Sequence, residues 1–245
     1  MFDLRSFTLR DMSELGSALR RLGDGAHAMQ DVAERVARFL YEQLSDEHHV
    51  PACALVRFFK THAYGGLDAG VQEFAKQMLG EAPKPGTRCL TLLGTAGDEP
   101  AWNSPGSSVG HRAIPLASQE MVSRIPMISS LLQQLGVEVD VLLNTNSGIL
   151  VESEPSSFNV FYVPEARESP YIPAQEEFVV PVGVRSVLGF GGMLPLGDMF
   201  VVILFSKVRI PRETAEMFRT LALNVKMAVL PFDDAVFAAA VGAGS

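Results

Sequence analysis

Hydrophobic and polar positions follow two different periods along this chain, and the first fifty residues follow the helical one. Apolar residues recur at spacings of three and four between residues 28 and 44, which predicts an amphipathic helix. A shorter helix is predicted over residues 11–22, and Gly23-Asp24-Gly25 separates the two helices. Residues 1–49 are therefore expected to form an N-terminal helical extension.

Short apolar runs in the rest of the chain predict strands. The clearest runs are residues 184–190 and 199–205, which are joined by a turn at residues 194–198 and followed by a helix over residues 211–230. This order is typical of an antiparallel strand pair that is covered by a helix. The remaining predicted elements are strands at 52–60, 88–93 and 159–163, a hairpin over 137–151, and helices at 71–79 and 118–135.

These elements predict an α+β fold, because strands dominate the middle of the chain and helices its ends. The expected architecture is a central antiparallel sheet of about six strands with helices packed on it. The main domain is expected to span residues 50–232, and residues 233–245 are expected to form a C-terminal tail.

The predicted helix at residues 211–230 is apolar on more than one side. Phe218, Leu221 and Val225 form one stripe, whereas Met217 and Leu223 lie on other sides. A helix of this kind must bury more than one face. Either the N-terminal helix packs against it or a second copy of the chain does, so a homodimer through the terminal helices is one prediction.

Composition and charge narrow the class of protein. Apolar residues make up 47% of the 245 residues and the formal net charge is −8, which predicts a folded core and disfavours a nucleic-acid-binding surface. No run of about 18 apolar residues predicts a membrane span. The N-terminus lacks the features of a secretory signal, so a cytoplasmic location is expected. The two cysteines, Cys53 and Cys89, lie in predicted strands and are expected to be buried thiols.

Three segments in order resemble the GAF domains, which are small-molecule-sensing modules of signalling proteins. The first is Val160-Phe161-Tyr162-Val163-Pro164-Glu165-Ala166, and the second is Gly183-Val184-Arg185-Ser186-Val187-Leu188. The third is the apolar strand with its following helix, and the resemblance spans about residues 50–230. It implies a GAF- or PAS-like six-stranded antiparallel sheet with a pocket on the face away from the terminal helices. The Cys-His pair of bilin-binding members and the Asn-Lys-x-Asp-Glu signature of cyclic-nucleotide-binding members are absent.

Two segments without periodicity, residues 94–116 and 165–176, would border the pocket of such a fold. Arginine can clamp a carboxylate or phosphate, and an aromatic ring can stack on a ligand. The candidate ligand-binding residues are Trp102, His111, Arg112, Tyr171 and Arg185. Alternatively, Trp102 and Tyr171 anchor their loops, and Arg185 is a structural partner of Glu165.

Three functions are compatible with these patterns. The leading hypothesis is a non-enzymatic sensor that binds an unidentified small molecule and signals to a downstream protein through its terminal helices. A structural dimerisation module without ligand is the second. The third is a GAF-type free methionine sulfoxide reductase that uses Cys53 and Cys89 as nucleophile and resolving thiol. The residues identify no cofactor.

Overall fold

The architecture is a six-stranded antiparallel sheet with helices on both faces. A computed structural model describes residues 1–108, 110–143 and 159–237. The strand order is β5-β4-β3-β8-β7-β6, and every neighbouring pair is antiparallel. A separate parallel pair joins β1 to β2. The strands are β1 Phe2–Asp3, β2 Leu44–Ser45, β3 Cys53–Ala63, β4 Arg88–Gly97, β5 Ala113–Pro115, β6 Val160–Val163, β7 Ser186–Met193 and β8 Met199–Ser206.

Capping residues mark the beginning of the first helix and both ends of the third. Thr8 and Asp11 form a capping box at the first helix, and Asp68 accepts a hydrogen bond from Val71 N–H at the third. Gly80 ends the third helix in the left-handed conformation, with φ of 84°. The helices are α1 Leu9–Arg20, α2 Met29–Gln43, α3 Ala69–Leu79, α4 Gln119–Ser123, α5 Pro126–Leu135, α6 Val139–Leu143, α7 Val180–Val182 and α8 Arg212–Val229.

One face of the sheet packs on α1, α2 and α8. Phe58 on β3 and Phe200 on β8 stack at a centroid distance of 5.8 Å on this side, and Phe190 meets Phe218 of α8 at 5.2 Å. Helix α2 lies directly on β4, where a Cβ at Gly94 would stand 2.3 Å from the carbonyl oxygen of Ala33. The N-terminal helices are therefore part of the same core as the sheet.

The other face carries a second core that α4 and α5 cover only in part. Phe161 and Val187 are buried at the β6–β7 end, where Leu131 and Leu135 of α5 pack. Toward β3 and β4, loops close the face instead of helices, which leaves room for a cavity. The fold-class prediction, including the antiparallel arrangement of residues 184–190 and 199–205, is confirmed.

Three local predictions were wrong. The single helix over 118–135 is two helices, because Pro126 has no N–H for a continuing helix and instead begins α5. Residues 139–143 form a helix instead of the first strand of a hairpin, and the rest of that hairpin lies outside the described residues. The segment 94–116 is partly regular, since its first residues extend β4 to Gly97 and residues 113–115 form β5.

Contacts within one chain cover part of the apolar surface of α8. Helix α1 packs along α8, and Arg20 donates a hydrogen bond of 2.8 Å to the Asn224 side chain. Leu223, Met227 and Leu230 keep 46%, 47% and 41% of their surface exposed. The homodimer stays a prediction. Within the described ranges, no helix has the length and hydropathy that a bilayer crossing needs.

Candidate functional site

A cavity of about 260 Å³ lies on the sheet face opposite α1, α2 and α8. Strands β3, β4 and β8 form its floor, and α5 and the loop after β6 form its walls. Its lining is almost wholly apolar. The lining residues are Leu55, Arg57, Phe59, Leu90, Trp102, His111, Ile114, Ile125, Met127, Ile128, Leu131, Ile172, Pro173, Ala174, Phe178, Ile203 and Phe205.

The strand period of two places the floor residues. Leu55, Arg57 and Phe59 alternate with residues that face the helices, so all three project to the cavity side. On β8, Phe205 pairs with Leu55 and Ile203 pairs with Arg57. Where β3 and β8 meet in the floor, the registered pairs are therefore apolar except at Arg57.

Three aromatic rings build one wall. Trp102 meets Phe178 at a centroid distance of 5.5 Å and an interplanar angle of 71°, and Phe178 meets Phe205 at 5.1 Å and 86°. Both contacts have the edge-to-face geometry that aromatic pairs prefer. Because Trp102 is the single tryptophan of the chain, its emission reports directly on this wall.

Hydrogen bonds hold the loops that carry these rings. The Thr95 hydroxyl donates to the carbonyl of Trp102 at 2.8 Å, and the Asn103 side chain bonds both backbone groups of Gly97. In the loop before Phe178, the Gln175 amide donates to the carbonyls of Ala166 and Ile172 at 2.9 and 2.7 Å. The wall is thus preformed by contacts that need no ligand.

Arg57 is the charged group of the cavity. Its guanidinium donates one long hydrogen bond of 3.4 Å to the Ser108 hydroxyl, and its buried Nε has no hydrogen-bond partner among the residues that the structure describes. Desolvation lowers the pKa of Arg57 to about 10, so the side chain remains charged at pH 7. No aspartate or glutamate lies among the described lining residues.

His111 stands at the mouth of the cavity with part of its surface exposed. Desolvation and, second, the nearby Arg57 charge lower the pKa of His111 below its ordinary value of 6.5. The imidazole is therefore neutral at pH 7. A neutral ring offers one donor and one acceptor to a ligand without adding charge.

The structure brings two of the five predicted ligand-binding residues, Trp102 and His111, into this cavity. Arg112 and Tyr171 are chain neighbours of lining residues and are not themselves in the lining. The backbone carbonyl of Arg112 accepts a hydrogen bond from Leu92 N–H at 2.9 Å, and Tyr171 is 45% exposed. Ligand contact by all five remains a prediction.

Arg185 lies elsewhere, in a more open depression of about 490 Å³. Glu165 and Glu168 share this depression with Arg167 and Arg185, so its charges are mixed and largely exposed. Glu165 forms its ion pair with Arg209. Such a surface lacks the apolar enclosure typical of small-molecule sites, which favours the smaller cavity as the candidate site.

Arg57 is the site residue that the sequence analysis missed. It interrupts the apolar run of residues 52–59, which was interpreted only as a buried strand. A cation in the middle of such a strand must face solvent, a partner or a cavity. The sequence signal for Arg57 was therefore a cation inside an apolar strand.

The two cysteines cannot act as a nucleophile and resolving pair. Cys89 pairs with His62 on β3, nine residues along the strand from Cys53, which separates their backbones by roughly 30 Å. A disulfide needs Cα atoms within about 7 Å. Burial raises the pKa of each thiol to about 12, and neither cysteine lines the cavity.

Comparisons with known proteins add one structural likeness. No protein-family model and no curated protein sequence matches the chain. The fold is similar to the crystal structure of free methionine-R-sulfoxide reductase from Neisseria meningitidis in complex with its substrate. The identity is 11% and the TM-score is 0.49, over 94% of this chain and 95% of the other.

This comparison corrects the prediction that the chain is not an enzyme. The similar structure is that of an enzyme, a reductase. Fold alone does not decide between binding and catalysis. A likeness of this size assigns neither an activity nor a substrate to the chain.

Proposed function

We propose that this chain is a GAF-like domain that binds a compact, largely apolar small molecule in the cavity beneath Trp102. The observation that carries the proposal is a preformed apolar cavity with a single cation among its described lining residues, on the sheet face that α4 and α5 cover only in part. Ligand sites in proteins are typically concave, mostly apolar and supplied with a few polar groups.

The size of the cavity limits the ligand. An apolar cavity of about 150 Å³ accepts benzene, so 260 Å³ accommodates roughly ten non-hydrogen atoms. This corresponds to one aromatic ring with a short side chain. Ligands of that size reach dissociation constants on the order of 1 mM or below.

Trp102 emission provides the test. We expect hydrocinnamyl alcohol, a phenyl ring on a short chain, to change the emission of the wild-type protein in a saturable way. Ala174→Phe fills the cavity from its wall and should weaken this response at least about tenfold. Ala82→Phe, at an exposed turn residue outside the lining, is the matched control and should respond like the wild type.

Two results would overturn the proposal. One is a wild-type protein whose Trp102 emission changes neither with the alcohol nor with its carboxylate and phosphonate analogues, hydrocinnamate and phenethylphosphonate, up to their solubility limits. The other is an Ala174→Phe variant that binds the alcohol as tightly as the wild type does while its circular dichroism is unchanged.

Transmission of ligand occupancy to the terminal helices is the regulatory part of the proposal. Strand β3 carries Phe59 on the cavity face and Phe58 on the helix face, where Phe58 stacks on Phe200. A ligand can shift helix packing only if it binds two packings with different affinity. We expect saturating hydrocinnamyl alcohol to change amide hydrogen exchange in α8, and unchanged exchange there would remove the transmission step.

A further inference from the structure

We infer that the ligand of this cavity carries a single carboxylate that pairs with Arg57. This inference rests on the proposed function and names the chemical class of the ligand. Its basis is the surroundings of the guanidinium: an apolar floor, one weak hydrogen bond and no facing anion among the described residues.

The position of Arg57 on its strand determines where its charge lies. On β3 it lies between Thr95 of β4 and Ile203 of β8, near the middle of the sheet. The Thr95 hydroxyl is directed to the carbonyl of Trp102, and Ile203 is apolar. The backbone position on β3 therefore directs the guanidinium into the cavity.

The hydrogen-bonding capacity of Arg57 is largely unused. A guanidinium has five N–H donors, and the described residues accept one bond from it, at 3.4 Å. The neighbouring Nε is buried without a partner. Buried donors without acceptors are costly, and a methionine would fill the same space without that cost. The pattern is typical of a group that is completed by a ligand.

The charge count favours a carboxylate over a phosphate. Arg57 is the single cation among the described lining residues, and neutral His111 adds a donor without adding charge. One planar fork matches one carboxylate in a bidentate pair, whereas a dianionic phosphate calls for further donors.

The test compares three probes that share one phenyl body. Hydrocinnamate carries a carboxylate, hydrocinnamyl alcohol is its neutral counterpart, and phenethylphosphonate carries a phosphonate. We expect the wild type to bind hydrocinnamate about 10- to 100-fold tighter than the alcohol at pH 7, because a charge-assisted hydrogen bond replaces an unpaired donor. Arg57→Met should abolish this preference, so that hydrocinnamate and the alcohol bind this variant with similar affinity.

Arg57→Lys separates charge from geometry. Lysine keeps the charge but lacks the planar fork, so we expect the preference for hydrocinnamate to be reduced and still present. Because this variant and the wild-type probe series do not depend on Arg57→Met, the inference remains testable if that variant fails to fold.

Each other outcome has a defined meaning. Equal wild-type affinity for hydrocinnamate and the alcohol overturns the inference and leaves the proposed function intact. If the wild type binds phenethylphosphonate more tightly than hydrocinnamate, the assignment of a carboxylate is overturned. A carboxylate preference that survives in Arg57→Met overturns the role of Arg57. Absence of binding by all three probes overturns the proposed function and the inference with it.

Discussion

Replacing Arg57 with methionine should stabilise the protein in the absence of ligand. The substitution keeps the volume of an unbranched side chain and removes a charge that has one weak hydrogen bond and an unpaired Nε. An unsatisfied buried polar group costs about 1–3 kcal/mol. Part of that cost is screened because Arg57 is not fully buried, so we expect a gain of about 1 kcal/mol in the free energy of unfolding.

Lys60→Met is the matched control, because Lys60 lies on the same strand and is also a cation within the fold. Lys60 is fully buried, and its Nζ lies 2.5 Å from an Asp198 carboxylate oxygen. Removing a paired cation breaks a charge-assisted hydrogen bond, which contributes about 1.5–3 kcal/mol. The same chemical change should therefore destabilise the protein at Lys60 and stabilise it at Arg57.

Urea unfolding followed by circular dichroism measures both effects, with the free energy extrapolated to water. A common slope against urea in the wild type and both variants shows that the comparison is valid. If Arg57→Met lowers the free energy of unfolding by more than about 1 kcal/mol, Arg57 has a structural role and the argument that a ligand completes it is refuted.

Three further predictions follow from the described contacts. Asp198→Asn should destabilise the protein by about 3–5 kcal/mol in the same urea assay, since it leaves the buried Lys60 charge uncompensated; a loss below about 1 kcal/mol would contradict this. Desolvation lowers the pKa of His62, so on acidification the unfolded state takes up this proton before the folded state does. The free energy of unfolding should therefore fall as the pH drops below about 6.5, and it should fall less in His62→Gln. If the difference in stability between wild type and His62→Gln did not depend on pH, the lowered pKa of His62 would be contradicted. Cys53 and Cys89 should not react with a thiol reagent in the native protein, whereas both should react in urea; rapid native labelling of either would show that its strand is open.

The fold could be predicted because its signals are local. Residues 184–190 and 199–205 are continuous apolar runs separated by a short turn, and such runs favour adjacent antiparallel strands. The side of the sheet on which the cavity lies also followed from the resemblance to GAF domains. Residues 118–135 were predicted as a single helix because their apolar spacing continues through Pro126. The observed break between the two helices there results from the missing N–H of Pro126, which the hydrophobic pattern does not reveal.

The site could be predicted only in part, because its residues meet through tertiary structure. Trp102 and His111 were chosen as loop residues. Trp102 enters the cavity because hydrogen bonds to Thr95 and Gly97 hold its loop against β4, and His111 enters it just before β5. The sequence shows Arg57 as a cation within an apolar run, and its place in the site became clear when its strand neighbours, Thr95 and Ile203, were known to be uncharged. Arg185 was chosen for its side chain, and the register of β7 and the course of the preceding loop place it in a different depression.

The most direct measurement is a crystal structure of the wild-type protein grown with hydrocinnamate. The account predicts the phenyl ring between the aromatic wall and Leu131, with a carboxylate oxygen about 2.9 Å from the Arg57 guanidinium. Density for the probe at another surface, or a cavity closed by the protein's own side chains, would contradict it.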